Sequence, residues 1–141
     1  MKEVVVDASV AAKWVVDEEY STEAASLLQY DARHAPDHWQ AEAVNVLWSK
    51  VFRGDLTAPD AHERMMVLLR APVVGAAIAD LLPRAFAISV GNAVTIYDSL
   101  YIALAEKRDI PFVTADQRLI RRISGDAGLA KRMIWVGGLS G

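Results

Sequence analysis

The sequence predicts an α/β protein of three layers, with helices on both faces of a mainly parallel central sheet. Short apolar runs biased toward β-branched and aromatic residues alternate with stretches whose apolar positions recur at helical spacing. Val4-Val5-Val6 and Ile110-Pro111-Phe112-Val113 are apolar throughout, as parallel strands buried on both faces are. Strands alternating with helices imply right-handed crossovers between parallel neighbours.

The elements follow in order. A Val run makes residues 2–6 the first strand, with Asp7 at its carboxyl end. Residues 8–16 form a helical turn or two, leading to the acidic loop Asp17-Glu18-Glu19. Ser21 caps a second helix through Leu28, with Ala24, Ala25, Leu27 and Leu28 on its apolar face. A short second strand lies at 33–36, and Asp37 is the expected N-cap of a helix over 38–52 that stops at Gly54. Thr57-x-Pro59 opens a helix to Arg70, and 72–74 reads as an edge strand. Residues 77–90 form a helix perturbed at Pro83, and Gly91-Asn92 breaks the chain. Ile96, Leu100, Ala103 and Leu104 then mark an apolar helix, followed by the strand at 110–113. A short helix over 117–123 and a last strand at 133–136 complete the chain.

With 141 residues and 53% hydrophobic content, the sequence has the size and composition of one globular domain, expected over 1–141. No repeat, low-complexity segment or linker interrupts it. No apolar run has bilayer-spanning length, and the amino-terminal residues lack a signal-peptide pattern, so a cytoplasmic location is expected. The absence of cysteine excludes disulfides and thiolate zinc sites. The net charge of −3 is unevenly spread: the first 98 residues carry −6 and the rest +3. Lys107, Arg108, Arg118, Arg121, Arg122, Lys131 and Arg132 form either a basic patch or an ordinary solvated helix face.

Four acids carry the functional reading. Asp7 and Asp116 follow strand ends directly, and Glu42 and Asp98 sit in early helical turns. Each alone has a plainer role. Thr95-x-x-Asp98 has capping-box spacing, and Asp116 suits the N-cap of the helix after it. In parallel sheets, however, ligands bind beyond the carboxyl ends of strands where the winding reverses, and all four acids can reach that edge. Asn45 shares a helix face with Glu42, one turn away. Ser9 has no His/Asp partner that would make it a nucleophile, and reads as a helix-start cap or a supporting contact.

Carboxylates gathered in a partly buried notch repel one another, and a hard divalent cation relieves that cost at neutral pH. His34, His38 and His62 are scattered, which disfavours zinc. An oxygen-only Mg2+ or Mn2+ site fits phosphodiester hydrolysis.

The residues resemble a family at this point: the PIN domain, in particular the VapC type of toxin–antitoxin ribonucleases. The likeness runs through Val-Val-Asp7-Ala-Ser9, Ala35-Pro36-Asp37 leading to Glu42-Ala-Val-Asn45, Tyr97-Asp98-Ser-Leu-Tyr101-Ile-Ala-Leu-Ala105 and Val-Thr114-Ala-Asp116. Each motif alone is weak, and the four in order are specific. The resemblance implies Asp7, Glu42, Asp98 and Asp116 as the catalytic and metal-binding acids, supported by Asn45 and by Thr114 or Ser9. It further implies an RNA substrate, an antitoxin protein from an adjacent gene and a homodimer.

Other readings fare less well. A signalling receiver domain needs adjacent acids after its first strand and a Lys near its last, and neither is present. A haloacid-dehalogenase-like phosphatase needs Asp-x-Asp where this chain has Asp7-Ala8-Ser9. A stand-alone PIN-type RNA-processing nuclease and a catalytically silent PIN-fold binding module remain as alternatives. Met65, Met66, Leu68, Leu69, Leu81, Leu82 and Phe86 exceed the core needs of a short helix pair, and read as either core or contact surface for a dimer or an antitoxin.

Overall fold

The structure, a computed structural model, describes residues 1–140; Gly141, the end of the expected domain, lies outside the described residues. Five strands, β1 (Glu3–Val6), β2 (Ala32–Pro36), β3 (Val74–Ala76), β4 (Phe112–Thr114) and β5 (Met133–Trp135), form one sheet in the order β3-β2-β1-β4-β5. Every pairing is parallel, with Val5 opposite both His34 and Phe112. The chain winds outward from β1 through β2 to β3, then crosses back to place β4 on the other side of β1. The winding therefore reverses between β1 and β4, where a parallel sheet opens a crevice at its carboxyl edge.

The central strand explains its own composition. Val5 joins Ala35 and Phe112 in the core on one face, while Val4, Val6 and Val113 join Ala24, Leu27 and Val136 on the other. Both faces are covered, so the strand has no polar alternation. The helices are α1 (Ala8–Ala11), α2 (Ser21–Ser26), α3 (Trp39–Phe52), α4 (Ala58–Leu68), α5 (Leu82–Asn92), α6 (Ile96–Arg108), α7 (Gln117–Ile123) and α8 (Ala127–Ala130). Residues Ser99 to Ala105 of α6 are all buried, which makes α6 the core helix against β1, β2 and β4. Ser99 is accommodated by a 2.8 Å hydroxyl–hydroxyl contact with Ser89 of α5. Among the described residues, no single helix is long and apolar enough to cross a membrane.

Several local expectations shift for physical reasons. Asp37 does not cap α3; His38 holds that position, and the Asp37 N–H extends the β2–β3 pairing by donating to the Ala76 carbonyl at 2.9 Å. The edge strand begins at Val74 rather than Pro72, whose carbonyl accepts instead from the Arg33 guanidinium at 2.8 Å. Pro83 lies in the first turn of α5, where its missing N–H costs nothing, rather than perturbing a longer helix. Gly91 and Asn92 stay helical, and the turn into α6 is made by Ala93 at φ 55°. Tyr20, not Ser21, precedes α2; the Ser21 hydroxyl closes the preceding loop by donating to the Val16 carbonyl and accepting from the Glu18 N–H. The four-residue α8, capped by Asp126, was not expected from the Gly-containing segment around it.

The apolar surplus divides. Leu68 and Leu81 are core, whereas Met66, Leu69, Leu82 and Phe86 are exposed. On α5, Leu82, Phe86 and Val90 recur every fourth residue and form an exposed ridge.

Candidate active site

Asp7 leaves the sheet between β1 and β4 and caps α1. Its backbone N–H donates to the Val113 carbonyl at 3.0 Å, and its own carbonyl accepts from Val10 and Ala11 at 2.9 and 3.0 Å. This anchoring at both ends directs the carboxylate into the crevice with little freedom. Oδ2 accepts from the Thr114 hydroxyl at 2.6 Å and Oδ1 from the Ser9 N–H at 3.4 Å. Burial pushes the Asp7 carboxyl up to about 6, and the charges of Asp98 and Glu42 push the same way against the Thr114 hydrogen bond.

Thr114, fully buried at the end of β4, ties two acids together. While donating to Asp7 it accepts from the Asp116 N–H at 3.1 Å. Asp116 is the N-cap of α7: Oδ1 accepts from the N–H groups of Arg118 and Leu119 at 2.9 and 3.1 Å. The capping and site readings of this acid are thus compatible, because one oxygen serves the helix and the side chain still lines the crevice. Asp98 behaves likewise. Its N–H donates to Thr95 Oγ1 at 3.1 Å, as in a capping box, while its carboxylate faces the other acids. Burial raises the Asp98 carboxyl above its usual range, and the charges of Asp116 and Glu42 add to the effect.

Glu42 is held differently. Tyr101, buried in α6, donates its hydroxyl to Oε1 at 2.7 Å, and His38 Nε2 stands 3.0 Å from the same oxygen. The imidazole is close but poorly aligned, and neither of its buried ring nitrogens makes a well-directed hydrogen bond. Burial favours the neutral Glu42, but these two partners outweigh it and hold the carboxyl below its usual range. Tyr101→Phe is expected to preserve the ring, stacked on Phe112 at 5.5 Å, and remove only the donor. A hydrogen bond to a charged group contributes about 1.5–3 kcal/mol. With the Glu42 side chain 35% exposed, the loss should fall at the low end. Because the folded-state pKa is depressed, that stabilisation exists above the unfolded value and disappears as pH falls through the folded one. Denaturant unfolding of both proteins at neutral and acidic pH checks this: the gap should narrow in acid.

The four acids, together with Ser9, Asn45 and Tyr97, line one open crevice of about 560 Å³. All seven residues singled out in the sequence lie at this crevice or directly behind it. Ser9 is not the helix cap; Asp7 is, and the Ser9 hydroxyl accepts from the Ala115 N–H at 3.4 Å, steadying the loop that carries Asp116. Asn45 is exposed one turn below Glu42. His38 and Tyr101 escaped notice as site residues. Their signal was the helical spacing of His38 to Glu42 and a tyrosine hydroxyl in an otherwise apolar helix, which requires a partner. Among the described residues no three acids or histidines stand close enough to form a ready-made ligand cluster. The carboxylates ring the crevice rather than closing on a point.

A five-stranded parallel sheet with acids at its winding reversal and at the neighbouring helix starts defines a class, and sequence comparison agrees with it. The chain belongs to the PIN domain family, which residues 4–125 match. Its likeness is to the VapC type: it is 35% identical over 122 residues to Ribonuclease VapC3 of Pyrobaculum aerophilum, covering 84% of this chain and 92% of the relative. Among solved structures, a Pyrobaculum aerophilum protein superposes with a TM-score of 0.72 at 20% identity, covering 96% of this chain and 85% of that one. A toxin–antitoxin complex from Klebsiella pneumoniae gives 0.61 at 11% identity, covering 93% and 95%. Both show the shared fold.

Proposed function

We propose that the protein is a divalent-metal-dependent endoribonuclease and the toxin of a type II toxin–antitoxin pair. The observation that carries this reading is the burial of Asp7 against Asp98 and Glu42 at the winding reversal. Unrelieved negative charge there is costly and would repel the phosphate to be cut, and a bound cation would relieve both. The donors fit Mg2+ or Mn2+, since all four are carboxylate oxygens and no thiolate competes. Asp7, Asp98 and Asp116 would hold the ion, with Glu42 beside them; because they ring the crevice rather than meet at a point, waters would complete the coordination that Mg2+ keeps. When bound, it would neutralise charge on the phosphate and activate the attacking water.

The chain's own residues do the positioning. Thr114 fixes the Asp7 carboxylate and the Asp116 backbone through one hydroxyl, while Tyr101 orients Glu42 and, with His38 close by, favours its ionised form. Similarity to a VapC3 ribonuclease supports RNA as substrate, and the Klebsiella pneumoniae complex of the same fold supports an antitoxin partner. An arginine from that partner would suit the acidic crevice, since its planar fork matches carboxylates. The exposed Leu82-Phe86-Val90 ridge supports a contact surface, with a homodimer as its expected use. An RNA substrate supports a cytoplasmic location.

Expression in a bacterial host tests the reading. The wild type should arrest growth and leave new fragments in total RNA, and Asp98→Asn should do neither. Co-expression with the product of an adjacent small gene should relieve the arrest and copurify as a complex. A harmless wild type that binds no such product would leave a stand-alone processing nuclease as the better account.

A further inference from the structure

The seven basic residues of the carboxyl-terminal third do not gather. Arg108 turns to Glu3 at 3.6 Å, and Arg132 pairs with Asp109. Arg118, Arg121 and Arg122 of α7 are exposed, and none of the three pairs with a carboxylate among the described residues. Arg118 and Arg122, one turn apart, line a separate hollow of about 300 Å³ with Val94 and Thr95. Asp98 and Asp116 form the wall between this hollow and the acidic crevice, since both line each of them. Arg121, on the same helix, lines neither.

Resting on the proposed nuclease reading, we infer that this hollow is a phosphate subsite, in which Arg118 and Arg122 bind the RNA backbone phosphate adjoining the one to be cut. The chemistry is specific. Two arginines one turn apart line one cavity, and the planar fork of a guanidinium suits phosphate oxygens. Arg122 spends one N–H on the Ala93 carbonyl at 2.8 Å, which holds the side chain over the hollow and leaves its other donors for a ligand. That carbonyl belongs to the residue at φ 55° that turns α5 into α6. The turn delivering Asp98 is therefore also the one that orients the cation. A polyanion seated here would run from an arginine-lined hollow directly across the shared Asp98–Asp116 wall into the crevice. The acids alone would repel RNA in either direction, and the arginines give its backbone a defined side from which to enter.

Binding of a short fluorescent single-stranded RNA, followed by anisotropy in chelator so that no cleavage occurs, tests the subsite. Arg118→Ala should weaken binding about fivefold and the Arg118→Ala/Arg122→Ala pair at least about tenfold. The slope of log affinity against log salt should become shallower by about 0.7 for each lost phosphate contact. Arg121→Ala, the same charge change on the same helix, should leave affinity within about twofold. Arg118 makes no side-chain contact that the fold needs, so its variant separates binding from any disturbance of the Ala93 turn. Equal losses in Arg121→Ala and Arg118→Ala, or no RNA binding by the wild type, would overturn the subsite. Parallel cleavage assays in Mn2+ keep the two readings apart: a wild type that binds RNA through these arginines yet cuts none retains the subsite and loses the nuclease.

Discussion

Asp7→Asn is expected to melt higher than the wild type in the absence of metal while losing RNA cleavage. The carboxyl is buried at 7% exposure and rises from the ordinary 3.8 to about 6 in the folded protein. A shift of that size makes the ionised form roughly 3 kcal/mol more costly folded than unfolded. The sign follows from proton binding. Between the two values the folded state keeps a proton that the unfolded state has released, so this group's contribution to stability falls as pH rises through that window. Above pH 6 the full penalty is present, and below pH 3.8 it is absent. An asparagine carries no such penalty; its carbonyl can still accept from Thr114, and only the longer 3.4 Å contact from the Ser9 N–H is given up. The gain should be on the order of 2–3 kcal/mol at neutral pH, or about 5–10 °C in melting temperature for a chain of this size. It should shrink toward zero in acid. Thermal unfolding of both proteins in chelator across this pH range measures it, and a lower melting temperature for the variant at neutral pH would assign Asp7 to structure.

Mn2+ is expected to stabilise the wild type and to act much less on Asp98→Asn. An ion that binds only the folded state at a hundredfold excess over its dissociation constant adds about 2.7 kcal/mol. The apo site is primed for this, because burial and the charges of Asp116 and Glu42 raise the Asp98 carboxyl. Asp98→Asn should therefore melt no lower than the wild type in chelator, despite losing a first-turn charge that contributes about 0.3–1 kcal/mol through the helix dipole. The cap itself survives, as it runs from the Asp98 backbone N–H to Thr95 Oγ1. Melting curves with and without Mn2+ decide the matter; identical metal shifts in the two proteins would reduce Asp98 to a helix-start residue.

The sheet was largely legible because its central strands are buried on both faces. Val4-Val5-Val6 and Phe112-Val113 have no polar side to confuse the period, and both became inner strands. The four acids were legible by position, since strand ends and helix starts gather at one edge of a parallel sheet. What holds the acids was not legible. The Thr114–Asp7 hydrogen bond spans 107 positions and the Tyr101–Glu42 bond spans 59, so no local pattern encodes them. Sequence pattern and structure diverge where short-range chemistry has two outlets. The Asp37 N–H found a strand carbonyl and left the helix start to His38; Pro83 opened a helix rather than bending one. The basic third of the chain resolved only in three dimensions. Arg118 and Arg122 line a hollow that shares the Asp98–Asp116 wall with the crevice, while Arg108 and Arg132 pair with acids elsewhere.

RNA cleavage by the purified protein tests most directly whether these carboxylates form a metal-dependent nuclease site. With Mg2+ or Mn2+ the wild type should cut RNA internally, stop on addition of chelator and resume when metal is restored in excess. Asp98→Asn, folded and melting no lower than the wild type, should retain at most about a hundredth of that rate. Undiminished cleavage by Asp98→Asn in chelator would contradict the assignment of both the metal and the acid.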